Sequence, residues 1–104
     1  MTWIKKDEEK TMWQLLPVEP MEMVMKVITF GSIKYGSWNW CKHRKVKGGK
    51  ERYIGAVLRH ITAYMGGEKN DVETGYHHLS HAICCLLFIL WGELRNEKNR
   101  IHRE

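Results

Sequence analysis

Apolar side chains recur at helical spacing in three stretches of this chain. The first stretch runs from Val18 to Tyr35, directly after Pro17, and proline is tolerated in the first turn of a helix. The second runs from Glu51 to Met65. The third runs from about Tyr76 to Asn96, where leucines and isoleucines lie three or four residues apart. Since no strand pattern competes, the chain is predicted to be all-α, a small bundle of three main helices.

Polar segments separate and flank these helices. They are an N-terminal arm over residues 1–14, a basic irregular loop over 37–50, an acidic connection over 68–75 and a charged, frayed tail over 97–104. Gly36 is expected to end the first helix, because glycine is the usual residue after a helix C-terminus. Trp3 and Trp13 are expected to pin the arm.

The composition indicates one globular domain over residues 1–104, with 43% hydrophobic and 28% charged residues. A net charge of +5 favours an anionic partner, such as a nucleotide, a nucleic acid or an acidic protein. The three cysteines form no CxxC motif, which is typical of a reduced cytosolic protein. The polar N-terminus is no signal peptide. We therefore expect a cytoplasmic protein.

The longest apolar run, Ala82 to Trp91, has ten residues and is too short to span a bilayer. It is apolar on nearly all sides of the predicted third helix. A lone three-helix domain rarely covers such a helix, so the run predicts a homo-oligomer with no membrane partner.

Two groups of side chains are candidate ligands for a divalent metal. Glu19 and Glu22 lie three apart on the narrow polar stripe of the first helix, and three histidines open the third helix. The predicted ligands are Glu19, Glu22, Asp71, Glu73, His78 and His81. We expect a cation between the starts of the first and third helices, with manganese competing well with magnesium because of the histidines. The simpler alternatives are a solvated acidic face and histidines that cap a helix or bond within the core.

Basic and aromatic residues offer a site for phosphate and base. Lys34 and Arg59 are embedded among apolar neighbours, and His60 follows Arg59. Tyr35, Trp38 and Asn39 are candidates for contact with a base, although aromatic residues also anchor loops. The lysines of the basic loop are better explained by solubility. The chain has no Walker loop, GxGxxG or GxSxG motif.

Four motifs in a fixed order, FGxxKYGxxNW, RHxxA, GExxDxExG and HLxHA, lie between about Leu15 and Ile89. With them, the chain resembles the N-terminal domain of phage dATP/dGTP diphosphohydrolases, which are similar to the all-α, MazG-like pyrophosphohydrolases. The resemblance implies hydrolysis of dGTP or dATP between the α- and β-phosphates, with magnesium or manganese as cofactor. Glu19-x-x-Glu22 matches the first acidic element of that group. The second element would be His78-x-x-His81 with Glu73 and Asp71, which departs from the acidic ExxD pattern of that group.

The implied mechanism is metal-assisted attack of water on the α-phosphorus. Glu19 and Glu22 would be ligands, or one of them the base, while Lys34 and Arg59 would bind phosphate. Two rival hypotheses remain. One is a phage protein that binds a nucleotide without hydrolysing it. The other, a small basic nucleic-acid-binding protein, is disfavoured because phosphate repels carboxylates that hold no metal.

Overall fold

The computed structural model describes residues 10–103, with the side chains of residues 10–97. It contains three α-helices, α1 (Val18–Tyr35), α2 (Gly49–Met65) and α3 (His78–Arg103). Two short 3₁₀ helices, Trp13–Leu15 and Asn39–Lys45, precede α1 and α2. Within residues 10–103 the backbone pairs as β-structure only at the isolated bridge between Asn70 and His77. The predicted all-α class is therefore confirmed.

The ends of the helices follow local signals. Helix α1 has the predicted bounds, between Pro17 and Gly36, whose φ of 101° is unfavourable for a residue with a side chain. Helix α2 begins two residues before the predicted position, at Gly49, which packs against the backbone of His43 so closely that a Cβ atom would lie 2.3 Å from the carbonyl oxygen. Only glycine fits this helix start.

Helix α3 differs from the prediction at both ends. It begins at His78 because the ring of His77 accepts a hydrogen bond from the backbone N–H of Leu79 and satisfies one open donor of the first turn. It continues to Arg103, so the segment predicted as a frayed tail is helical up to that residue. No glycine or proline follows Asn96 to end the helix.

The basic loop is more regular than predicted, since seven of its residues form the 3₁₀ helix Asn39–Lys45. The indole of Trp40 stacks on Phe88 of α3 at 4.6 Å between ring centroids. The carbonyl oxygen of Trp40 accepts hydrogen bonds from the Tyr53 hydroxyl at 3.3 Å and from His43 Nδ1 at 2.8 Å. These contacts anchor the segment on α2 and α3. The prediction of an irregular loop relied on charge and glycine content, which carry no information about such contacts.

Helices α2 and α3 form an antiparallel hairpin. Lys50, near the start of α2, pairs with Glu93 far along α3, whereas His60 near the end of α2 bonds to His78 at the start of α3. Helix α1 packs across α3 through a small core of Val24, Val27 and Cys84. The last turn of α1 lies beside the connection before α3, where Lys34 pairs with Glu73 at 3.1 Å.

Much apolar surface remains exposed. On α3 a stripe is between 38% and 55% exposed, formed by Ile83, Leu86, Leu87, Leu90 and Leu94. Trp13 of the predicted arm is 75% exposed and is not buried as a pin, while Trp3 lies outside the described residues. None of the helices in the described part of the chain is both long enough and apolar enough to cross a membrane.

Candidate metal centre and adjoining cavity

The connection between α2 and α3 folds into a tight turn around Asp71. Its Oδ1 atom accepts hydrogen bonds from the backbone N–H groups of Glu73 and Thr74, both at 2.9 Å. The Asp71 backbone N–H donates to the carbonyl of Tyr76 at 2.8 Å. With Oδ1 occupied by the turn, Oδ2 is left to face the helices, and it lies 4.0 Å from His60 Nδ1.

Three histidines meet where α2 ends and α3 begins. The His60 and His81 rings stack nearly parallel, at 8° and 4.5 Å between centroids. His60 Nδ1 lies 2.8 Å from Nδ1 of His78, whose side chain is 5% exposed. His81 Nε2 shares a 2.7 Å hydrogen bond with the Thr74 hydroxyl. Imidazole nitrogens therefore converge on the side of the turn that carries Asp71.

Donor atoms of His60, Asp71 and His78 all lie within 4.8 Å of one another. Two ligand atoms that each lie about 2.1 Å from a cation, at an angle of about 90°, are about 3 Å from each other. The Nδ1 atoms of His60 and His78 have nearly this separation. Two imidazoles and one carboxylate are a common ligand set for first-row transition metals. These residues fit a divalent cation without rearrangement of the backbone.

A fourth side chain contacts the cluster through the outer nitrogen of His78. The Glu68 carboxylate lies 2.7 Å from His78 Nε2, on the edge of the ring opposite the cluster. Glu68 itself is 47% exposed, so this contact connects the buried histidine to the surface.

The electrostatics favour uncharged imidazoles. Burial lowers the pKa of His60, and the neighbouring His81 and His78 lower it further. Burial also lowers the pKa of His81, against the opposing effect of Asp71. For Asp71, burial would raise the pKa, but the backbone N–H groups of Thr74 and Glu73 and the nearby histidines lower it overall. Neutral imidazole and ionised carboxylate are the forms that bind metal.

A cavity of about 270 Å³ adjoins the cluster. His60, His81, Asp71 and Thr74 line its polar end. Its apolar side is lined by residues of all three helices and the 3₁₀ segment, among them Val27, Phe30, Trp40, Tyr53, Cys84 and Phe88. Burial raises the pKa of Cys84 to about 12 and that of Cys85 to about 11, so both thiols are protonated and unsuited to act as nucleophiles.

Many of the residues predicted from sequence surround this cavity. Those that line it are Lys34, Tyr35, Asn39, His60, Asp71, Glu73 and His81. Hydrogen bonding to Tyr35, and then to Glu73, raises the pKa of Lys34 at the rim. Trp38 is 71% exposed beside Trp40, and Arg59 lies exposed on α2.

Glu19 and Glu22 are not brought to the histidines. Both are exposed in the first turns of α1, whereas the last turn of α1, with Lys34, is the part that lies beside the start of α3. The step from Glu22 to Lys34 is about 18 Å of helical rise at 1.5 Å per residue. The structure thus gathers only part of the predicted ligand set, Asp71 with His78 and the adjacent His81.

The sequence analysis missed two members of the site. Glu68 and Thr74 both lie in the connection over residues 68–75, and neither was among the predicted site residues. His60 was assigned to substrate and not to metal. A signal for His60 existed, because it precedes His78 by 18 positions across a short connection, as expected for facing positions of a helical hairpin.

The chain is similar in sequence to a known protein family and to a phage protein. The family described as dATP/dGTP diphosphohydrolase, N-terminal, matches residues 2–101, and the chain belongs to this family. A relative named dATP/dGTP diphosphohydrolase, from Salmonella phage PMBT28, is 39% identical over 91 residues. The match covers 88% of this chain and 30% of the relative, so the chain spans less than a third of that protein's length. No solved structure matches the chain.

Proposed function

We propose that this chain carries out metal-dependent hydrolysis of the purine deoxynucleoside triphosphates dGTP and dATP, to the monophosphate and pyrophosphate. The relative's name supports the substrate class. The observation that carries the proposal is the convergence of His60, Asp71 and His78, of which His60 and Asp71 line a cavity with aromatic walls. Such a site offers a cation for the phosphates and flat apolar surfaces for the base. The activity would belong to the cytoplasm of an infected cell.

Each part of the cavity has a task in this proposal. His60, Asp71 and His78 would hold a magnesium or manganese ion, which when bound neutralises phosphate charge and lowers the pKa of a coordinated water. Lys34, at the rim, is positioned to contact a phosphate oxygen once it leaves Glu73. His81 lines the cavity and is kept neutral by burial, so it is placed to accept the proton of the attacking water.

Substitutions of Glu19 and Glu22 distinguish two possible positions of the catalytic cation. The exposure of both glutamates and their place at the far end of α1 support a centre at the histidines. The alternative is the prediction made from the sequence, in which these two glutamates are the ligands. Under the proposal, Glu22→Gln retains hydrolysis, whereas His60→Phe, which preserves a ring to stack on His81, abolishes it. The opposite result would move the cation to α1.

The experiment is incubation of the purified chain with each deoxynucleoside triphosphate and magnesium or manganese, with products separated by chromatography. Monophosphate and pyrophosphate from dGTP or dATP, absent with chelator and in His60→Phe, are the expected result. Circular dichroism of each variant shows that the fold is retained.

A second candidate function is a nucleotide-binding module that does not hydrolyse its ligand. It is favoured by one observation, the match to 30% of the relative, whose remaining length can hold catalytic groups of its own. The same incubation separates the two candidates. Tight binding of dGTP or dATP by calorimetry, with no product under any metal, would replace hydrolysis by binding. A steep loss of polynucleotide affinity with salt would instead support the nucleic-acid alternative.

We also propose that a second copy of the chain covers the exposed stripe of α3. The stripe consists of five apolar side chains of one helix, each between 38% and 55% exposed. From Ala82 to Gly92 the helix carries no charge, so two copies can meet without repulsion. Leu90→Lys should then give a monomer by light scattering, and a wild-type monomer at micromolar concentration would contradict the assembly.

A further inference from the structure

We infer that Glu68 is a positioning residue, which holds His78 in the tautomer that presents its Nδ1 lone pair to a metal shared with His60 and Asp71. The inference rests on the metal centre of the proposed function and extends it to a side chain that touches neither metal nor substrate. It does not depend on which nucleotide is hydrolysed.

The tautomer follows from the hydrogen bond between Glu68 and His78. An ionised carboxylate can only accept hydrogen bonds, so at 2.7 Å the proton of this contact belongs to His78 Nε2. In the neutral form that binds a metal, the His78 ring carries one N–H, so Nδ1 of that ring is a bare lone pair. That atom lies 2.8 Å from His60 Nδ1, and with both rings neutral His60 is the donor of this hydrogen bond.

The position of the ring is fixed as well as its protonation. His78 is buried, and its backbone N–H donates to the carbonyl of Lys69 at 2.9 Å. The Glu68 backbone N–H donates to the carbonyl of Ala63 at 3.0 Å, which ties the carboxylate to the end of α2. Both residues of the contact are thus held by the hairpin, and the Glu68–His78 hydrogen bond restricts rotation of the buried ring before a cation arrives.

For His60 and His78 to offer both Nδ1 atoms to a metal, one proton would have to move within the His60 ring, and neither ring would have to lose a proton. If both Nδ1 atoms were ligands, the one proton of a neutral His60 ring would sit on Nε2, and His60 lines the cavity, where exchange with water is possible. The proton of His78 stays between Nε2 and Glu68. Carboxylates that bind the far nitrogen of a ligating histidine typically account for a ten- to hundredfold difference in metal affinity.

The test measures the tautomer and the metal affinity separately. In the metal-free wild-type chain, ¹⁵N chemical shifts should show His78 protonated at Nε2 and bare at Nδ1. In Glu68→Ala we expect a mixture of tautomers and a loss of Mn²⁺ affinity of about ten- to hundredfold by calorimetry. Glu68→Gln, whose amide can accept or donate at Nε2, should lie between the two. Glu93→Gln removes the same charge at the other end of the hairpin and should leave both readouts unchanged.

Two results would overturn the inference. One is a Glu68→Ala protein with wild-type affinity for Mn²⁺. The other is an equal loss of affinity in Glu68→Ala and Glu68→Gln with the His78 tautomer unchanged, which would mean that Glu68 acts only through its charge. Failure of the proposed function is distinguishable, because a chain that binds Mn²⁺ with the stated tautomer but releases no monophosphate retains the role of Glu68. Circular dichroism identifies a variant that fails to fold, and Glu68→Gln then supplies the comparison.

Discussion

The substitution Asp71→Asn separates the two tasks of one carboxylate. Oδ1 holds the turn through the backbone N–H groups of Glu73 and Thr74, and Oδ2 faces His60. Asparagine keeps an oxygen for the two N–H groups, and a flipped amide would point its own N–H groups at them. The NH₂ group must therefore replace Oδ2, where it cannot bind a cation. The turn should survive while the metal centre is lost.

The structure sets the expected magnitudes. The two bonds to Oδ1 change from charge-assisted to neutral, which costs about 1 to 2 kcal/mol in total. For a chain of this size that lowers the melting temperature by about 5 to 15 °C. In wild type, Mn²⁺ at a hundred times its Kd adds about 2.7 kcal/mol, or about 10 to 20 °C. If the lost ligand weakens binding about a hundredfold, the same Mn²⁺ adds only about 0.4 kcal/mol.

Thermal unfolding with and without Mn²⁺ measures both effects. Asp71→Ala is the matched control, because it removes the ligand and both hydrogen bonds of the turn, and it should unfold at a lower temperature than Asp71→Asn. A Mn²⁺-dependent rise in the Asp71→Asn protein equal to that of wild type would refute the assignment of Oδ2 as a ligand.

Three further predictions concern other parts of the site. Lys34→Ala should weaken nucleotide binding about tenfold while Mn²⁺ binding stays unchanged. The Arg59 side chain is exposed and lies outside the cavity lining. An equal loss of nucleotide binding in Arg59→Ala would favour the prediction from the sequence that Arg59 binds phosphate. Stability of the metal-free chain should fall as pH drops below about 6.5, because the unfolded chain takes up protons at His60 and His81 before the folded one does. It should fall again below about pH 4, because the pKa of Asp71 is lowered in the folded chain and the unfolded chain protonates first. Denaturant midpoints that stay constant between pH 7.5 and 5.5 would contradict the first effect. Cys84 and Cys85 should resist alkylation at pH 8 until denaturant is added, and rapid labelling of either thiol in the folded chain, by mass spectrometry, would disprove their protonation.

The helices were predictable because their signals are local. Pro17 and Gly36 mark the ends of α1 in the sequence itself, and the structure has the same bounds. The spacing of apolar residues identified α2 and α3 for the same reason. The end of α3 was wrong because a charged composition was interpreted as fraying, although nothing in that composition stops a helix.

The candidate metal centre was predictable only in part, because its members are brought together by packing. Asp71, His78 and His81 are near one another in the chain, and proximity alone suggested a group. Whether Glu22 or His60 joins them depends on which end of α1 lies beside α3 and on the register of the α2–α3 hairpin. Hydrophobic periodicity determines neither the end of α1 that lies beside α3 nor the register of the hairpin, since either end of α1 could pack against the same apolar face.

The hairpin that carries His60, Asp71 and His78 has a consequence for how the chain folds. All three donors lie within 18 positions of one another, so a cation joining them closes a short loop, and short loops cost little entropy to close. Contacts of this kind form early, because few intervening residues have to be ordered first. A bound cation would thus act as a cross-link across α2 and α3 before α1 docks, leaving the cavity, which needs α1, as the last part of the domain to assemble.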